Sequence, residues 1–224
     1  KASEILEIER DKRTLPIKER NIPSCLLDCS ARLGNQGAVA EGTSGVLTYK
    51  RLTIGAALIA DHRNSNPSLF QGNRIGVMLP AVAAAPLVFL GLQMAHKVPA
   101  MLNWTVGSRS LSAMLQVAGI RTVITSKTFL RRIGSTADLK PLHDADSVTL
   151  LFLEDIKESF YTFDTLWAAA FYTPSRISTR FNLDRLGSRD EAVVLFTSGS
   201  EGMPNGVPLS HENLISNVVG NIEA

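Results

Sequence analysis

Between Val193 and His211 the chain reads VVLFTSGSEGMPNGVPLSH, and its chemistry is concentrated in Thr197-Ser198-Gly199-Ser200-Glu201-Gly202. Three hydroxyl side chains are threaded through two glycines whose backbone N–H groups are unshielded by a Cβ. Hydroxyls and oriented backbone N–H groups together form a concavity suited to phosphate oxygens. The short apolar run Val193–Phe196 precedes this loop and a second strand-like run, Gly206–Leu209, follows it. Ser210 then stands where a helix N-cap belongs, with the helix starting near His211 and Asn213 in a packing or capping role. His211 itself reads as a structural residue fixing the strand-to-helix turn.

The spacing excludes two familiar phosphate loops. A Walker loop needs Gly-x4-Gly-Lys-Ser/Thr, but the position after Gly199 that should be glycine is Pro204, and Gly206 is followed by Val207. The dinucleotide fingerprint GxGxxG fails because Gly199 and Gly202 are wrongly spaced. A loop between two strands, rather than ahead of a helix, is the remaining expectation.

The elements that must position this loop are legible as short apolar runs. RIGVML (Arg74–Leu79), VPAML (Val98–Leu102), RTVIT (Arg121–Thr125) and VTLLFL (Val148–Leu153) lack strand alternation, as buried parallel strands do. Helical spacing falls before and between them, at Tyr49–His62, Ala81–Ala95, Leu111–Ala118 and a short Ser126–Arg132. The alternation predicts an α/β fold with a parallel sheet and right-handed crossovers. Ala81–Ala95 carries no charge but is shorter than the roughly 20 apolar residues of a membrane span, so it reads as a helix buried against the sheet. Ser24–Leu33 predicts a short amphipathic helix ending at Gly34, and Ala38–Glu41 with Val46–Tyr49 a hairpin. Gly134–Ala145 reads as a polar passage, Phe160–Tyr172 as a helix with an aromatic face, and Thr173–Arg189 as a polar connector.

Bulk properties narrow the function. A net charge of +2 without a basic run or aromatic ladder gives no case for nucleic acid. Cys25 and Cys29 lie four apart without a CxxC pair or nearby histidines. They read as two semi-buried thiols in a reducing compartment rather than a zinc site or a disulfide. Residues 1–22 are charge-rich and read as a linker or arm ahead of one domain, 23–224. No signal peptide is seen, and both ends look cut from a longer chain.

The run TSGSEGMPNGVPLSHENL resembles the Ser/Thr/Gly-rich signature of the AMP-forming adenylating enzymes, the superfamily of acyl-CoA synthetases, peptide-synthetase adenylation domains and luciferases. Leu47-Thr48-Tyr49, Arg74–Pro80 and Val98–Asn103 resemble further segments of that family in the same order. Pro99–Gly107, Thr125–Leu130 and Leu153–Lys157 resemble one branch, the bacterial acyl-acyl-carrier-protein synthetases often fused behind a 2-acylglycerophosphoethanolamine acyltransferase. The fold implied is the large N-terminal domain of an adenylate-forming enzyme, truncated. The activity implied is formation of an acyl-adenylate from a fatty acid and ATP with Mg2+, then transfer of the acyl group to a carrier-protein or CoA thiol. Thr197, Ser198, Ser200 and the backbone of Gly199 and Gly202 would hold the phosphates, and Glu201 would face away or share Mg2+. Asn205 departs from the family, which usually has lysine there, so an ionic contribution is lost. No catalytic residue and no protein metal ligand is assigned.

The family's later adenine, ribose and catalytic-lysine motifs do not follow His211. The 224 residues are therefore expected to leave pyrophosphate exchange with fatty acid and ATP at background. The competing reading is a truncated or decayed chain with at most weak nucleotide binding, and an unrelated α/β binding domain ranks last. The acyltransferase signature His-x4-Asp is absent, because the residues five after the four histidines are Pro67, Met101, Val148 and Ser216. A fused acyltransferase would therefore end before Lys1. The resemblance places the parent protein in the cytoplasm or at the inner membrane face.

Overall fold

A computed structural model describes residues 20–42, 45–134, 139–143, 148–160, 168, 170–198 and 203–223. Helix α1 (Ile22–Leu33) leads into the antiparallel hairpin β1 (Gly37–Glu41) and β2 (Gly45–Thr48), then α2 (Tyr49–Ser65). Next come β3 (Arg74–Val77), α3 (Ala84–Met94), β4 (Val98–Met101), α4 (Ser108–Val117), β5 (Thr122–Thr125) and α5 (Lys127–Ile133). The four-residue α6 (Lys140–His143) precedes β6 (Thr149–Phe152), α7 (Leu153–Glu158) and α8 (Pro174–Phe181). The hairpin β7 (Glu191–Ser198) and β8 (Pro204–Ser210) and helix α9 (His211–Glu223) close the chain.

Six strands form the main sheet in the order β6-β5-β3-β4-β7-β8. All neighbours are parallel except β8, which runs antiparallel to β7. Successive residues of each strand feed opposite cores. Val98, Ala100, Val123 and Val194 pack with Leu111, Met114 and Leu115 of α4 and Phe129 of α5. Ile75, Val77, Ile124 and Leu151 pack with Val88 and Leu92 of α3 and Ile156 of α7. The crossover from β3 to β4 and that from β4 to β5 run in opposite directions along the sheet. Their helices accordingly lie on opposite faces, as right-handed connections require. On the α3 side a further layer of α1, α2 and α8 adds its own core, with Ala56, Ala60, Met94, Ile177 and Leu183 fully buried.

The expected α/β architecture and parallel sheet are therefore present, and Ala81–Ala95 is a sheet-packed helix, starting at Ala84 behind the turn at Pro80. Two expectations are corrected. Thr173–Arg189, read as a connector, contains α8 and a 3-10 turn at Leu183–Arg185. Only Ile177 and Phe181, four apart, face the core, so the apolar stripe is too thin to stand out among Pro, Ser, Arg and Thr. Its caps do carry a signal: the Thr173 hydroxyl accepts from Arg176 N at 3.3 Å, Pro174 opens the helix, and Asn182 ends it in the left-handed region. The polar passage Gly134–Ala145 likewise contains α6. The aromatic helix expected over Phe160–Tyr172 lies largely outside the described residues, as does the N-terminal arm.

Candidate functional site at the carboxyl edge of the sheet

β7 lies parallel to β4, so it delivers the loop to the carboxyl edge of the sheet, where ligands of open α/β sheets gather. Ala192, Val193 and Val194 are buried between the two helical layers. Towards the loop burial fades, and Leu195 and Thr197 are exposed. β8 returns with Val194 opposite Pro208, Phe196 opposite Gly206, and Ser198 opposite Pro204. The loop is thus closed by a strand on each side, as its sequence implied.

In this register Thr197 stands directly opposite Asn205. Directly paired residues project from the same face of a sheet, so hydroxyl and amide are neighbours there, and both are exposed. The next pair on that face is Leu195 and Val207, also exposed. Ser198 is the last residue of β7, and Gly199, Ser200, Glu201 and Gly202 lie outside the described residues. Of the seven site residues read from sequence, the structure brings Thr197 and Asn205 together and puts Ser198 beside them in the ladder. An exposed hydroxyl and amide donate to anionic oxygens without needing a charge of their own, which suits phosphate. Among the described residues no group of three or more His, Cys, Asp or Glu is arranged to hold a metal ion.

The hairpin is held rigidly from behind. Ser210 Oγ accepts from Asn213 N at 3.1 Å while Asn213 Oδ1 accepts from Ser210 N at 3.0 Å, a reciprocal cap on α9. His211 is buried, and its Nδ1 accepts from Ile22 N at 3.3 Å, tying the start of α9 to the start of α1. Burial pushes the imidazole down to about 4, with Asp190 opposing weakly, so the ring is neutral at pH 7. The structural reading of His211 and the capping role of Asn213 both hold.

Two features of this edge were not legible as site chemistry. Glu154, at the start of α7, accepts from Ser126 Oγ at 2.7 Å, Lys127 N at 3.0 Å and Thr128 N at 3.1 Å. Desolvation raises this carboxyl, but the N–H and hydroxyl donors outweigh it and hold it at about 2. The carboxylate therefore occupies the N-terminus of α5 at the carboxyl end of β5. Glu41 of β1 similarly accepts from Ala83 N at 2.8 Å, ahead of α3. Neither partner is near in sequence, so spacing offers no signal.

A second polar cleft lies away from the loop. Asp61 of α2 accepts from Tyr172 Oη and from Arg180 Nε, the latter at 2.7 Å, and His62 Nδ1 lies 3.1 Å from Ser159 Oγ. Desolvation raises Asp61 despite Arg180 and lowers His62. The network fastens α8 to α2. Cys25 and Cys29 are free and half-buried on α1, and desolvation raises both thiols, which makes them poor nucleophiles.

No helix of the described residues is long and apolar enough to cross a membrane.

Comparison with known proteins agrees with this geometry. The chain is 32% identical over 117 residues to the hybrid PKS-NRPS synthetase poxE of Penicillium oxalicum, covering 50% of this chain and 3% of that protein. It is 23% identical over 223 residues to the long-chain-fatty-acid–CoA ligase of Bacillus subtilis, covering 91% of this chain and 39% of the ligase. The structure of VinN with 3-methylaspartate superposes with a TM-score of 0.66 at 21% identity, covering 91% of this chain and 51% of VinN. The chain thus spans about half or less of the proteins it matches. The sequence model of the AMP-binding enzyme family matches residues 29–223, and the chain belongs to that family.

Proposed function

We propose that this chain is the N-terminal part of a ligase that activates a fatty acid. The fatty-acid carboxylate attacks the α-phosphorus of ATP, forming an acyl-adenylate and expelling pyrophosphate. A thiol of CoA or of an acyl carrier protein then takes the acyl group and releases AMP. Residues 1–22 serve as an arm and 23–224 as the phosphate-binding portion of the adenylation domain. Within the family the branch proposed is the acyl-acyl-carrier-protein synthetases, with a fused acyltransferase upstream as the accompanying proposal. The likeness to the Bacillus subtilis ligase supports a fatty acid as substrate, and the likeness to a PKS-NRPS synthetase is compatible with a fused architecture.

The observation carrying this reading is the Thr197–Asn205 pair flanking the loop at the carboxyl edge of a parallel sheet. In the proposal Thr197, Ser198, Ser200 and the N–H groups of Gly199 and Gly202 grip the β- and γ-phosphates. Holding the leaving pyrophosphate still lowers the barrier by positioning and electrostatic stabilisation. Mg2+, when bound, offsets triphosphate charge, and Glu201 is the loop's one carboxylate. Asn205 donates from its amide where a lysine would add an ionic contact.

That replacement also favours a second reading, a chain with weak nucleotide binding and no turnover. Titration calorimetry with Mg-ATP tests both. Asn205→Lys should tighten ATP binding about three- to tenfold, the gain of one charge-assisted contact, and Thr197→Ala should weaken it. Absence of nucleotide binding even in Asn205→Lys would overturn the phosphate-loop assignment.

A further inference from the structure

The connection that leaves β4 reaches the carboxyl edge beside the phosphate loop, because β4 and β7 are parallel neighbours in the sheet. Ala100 pairs with Val194, so Asn103 and Thr197 each stand three residues further along. β4 keeps its ladder with β3 as far as Leu102, whose N–H donates to Val77 O at 2.9 Å. Burial settles which face each residue takes. Val98, Ala100 and Leu102 join the core on the α4 side, as do Val194 and Phe196, whereas Met101 packs on the α3 side. Alternation therefore assigns Asn103 and Thr197 to the α3 side. Asn205, paired with Thr197, shares that face, and all three residues are exposed. Neighbouring strands lie about 4.8 Å apart, so Asn103, Thr197 and Asn205 make a polar row across the ends of β4, β7 and β8.

Asn103 is set to donate. Its Oδ1 accepts from Thr105 N at 2.9 Å and from Thr105 Oγ1 at 2.8 Å, which fixes the orientation of the amide. The side-chain NH2 group meets no acceptor among the described residues. The topology marks the same place. The β3–α3 and β4–α4 connections leave for opposite faces, so the switch point of the sheet lies at the carboxyl ends of β3 and β4. Asn103 follows β4 there, with the phosphate loop on the far side of the same strand. A ligand reaching from the switch point to the loop passes Asn103.

We infer that Asn103 is a further nucleotide-binding residue, its side-chain N–H groups donating to the polyphosphate beside Thr197 and Asn205. This rests on the phosphate loop proposed above. Two amides and a hydroxyl offer phosphoryl oxygens a line of donors without adding charge. Thr105 holds the Asn103 amide in place beforehand, so little ordering is left to accompany binding.

Asn103→Asp separates this role from a structural one. The aspartate keeps the acceptor for Thr105 and the size of the side chain, and it replaces the NH2 group with an anionic oxygen. Titration calorimetry with Mg-ATP and with Mg-tripolyphosphate, on the 224-residue chain and on its Asn205→Lys variant, reads the effect. Asn103→Asp should weaken both ligands at least about tenfold with an unchanged thermal midpoint. Asn103→Ala, which removes the donors without introducing charge, should weaken both about three- to tenfold. Parent-like affinity in Asn103→Asp, with Thr197→Ala still weakened, would overturn the role of Asn103 and leave the phosphate loop standing. A loss confined to Mg-ATP would set Asn103 against the nucleoside and overturn the inference as well. Absence of binding in both chains would overturn the phosphate loop and this inference with it.

Discussion

Asn205 and His211 lie six positions apart, yet the structure gives them opposite environments. Asn205 is exposed beside Thr197, so its substitution by lysine changes electrostatics at the loop with little cost to packing. His211 is buried and neutral, and its value of about 4 lies below the ordinary histidine value of 6.5. The sign of the consequence follows directly. Between about pH 6.5 and 4 the unfolded chain takes up a proton that the folded chain refuses. Stability contributed by His211 is full above this window and falls as pH drops through it, by at most about 1.4 kcal/mol per pH unit. Urea melts at pH 7, 6 and 5 should show the decline in the parent chain. In His211→Phe the slope should flatten, on a baseline lowered by the loss of the bond from Ile22 N. An unchanged slope would place the acid sensitivity elsewhere.

At the scale of elements, α3 is the piece on which the fold turns, because it packs against β3 and β4 on one side and α2 on the other. Two glycines mark how closely α2 and α3 approach. A Cβ on Gly91 would stand 2.7 Å from Ala56 O and 2.7 Å from Ile59 Cβ, both fixed by the α2 backbone. A Cβ on Gly55 would meet Leu87 Cδ2 at 2.5 Å, the end of a flexible side chain. Helix propensity favours alanine at both positions by about 1 kcal/mol, so sequence reasoning alone would predict stabilisation twice. Packing reverses this at Gly91. Gly91→Ala should destabilise by about 1–3 kcal/mol because the helices must separate, while Gly55→Ala should stay near neutral as Leu87 changes rotamer. Denaturant midpoints of the two variants would decide, and equal values would mean that α2 and α3 slide freely.

For the molecule as a whole, the outer strands of the sheet among the described residues are β6 and β8. β8 carries Pro204 and Pro208, which share one phase of the ladder with Gly206. Proline is tolerated in a strand where its missing N–H would face away from the partner. The outward row of donors on β8 is therefore interrupted twice, which guards the edge against pairing with another chain. Replacing both prolines with threonine should promote concentration-dependent association, seen as a rise in mass by light scattering relative to the parent chain. An unchanged mass would show that another feature protects this edge. At this scale too, sequence and structure divide the information between them. The sequence by itself determined the parallel strands, because residues buried on both faces leave unbroken apolar runs. It determined the loop between two strands and the Ser210–Asn213 cap, because glycine spacing and capping act within a turn or two. Only the tertiary structure decided the strand order, which depends on crossover handedness and on which face each helix covers. Packing against α1 and α2 likewise secures α8, whose two core residues are too few to announce a helix. The Glu154 cap, the burial of His211 and the bond from Gln93 to Ala192 O were set at the same level. Each joins groups far apart in the chain, and local periodicity carries no record of a partner that only folding brings near.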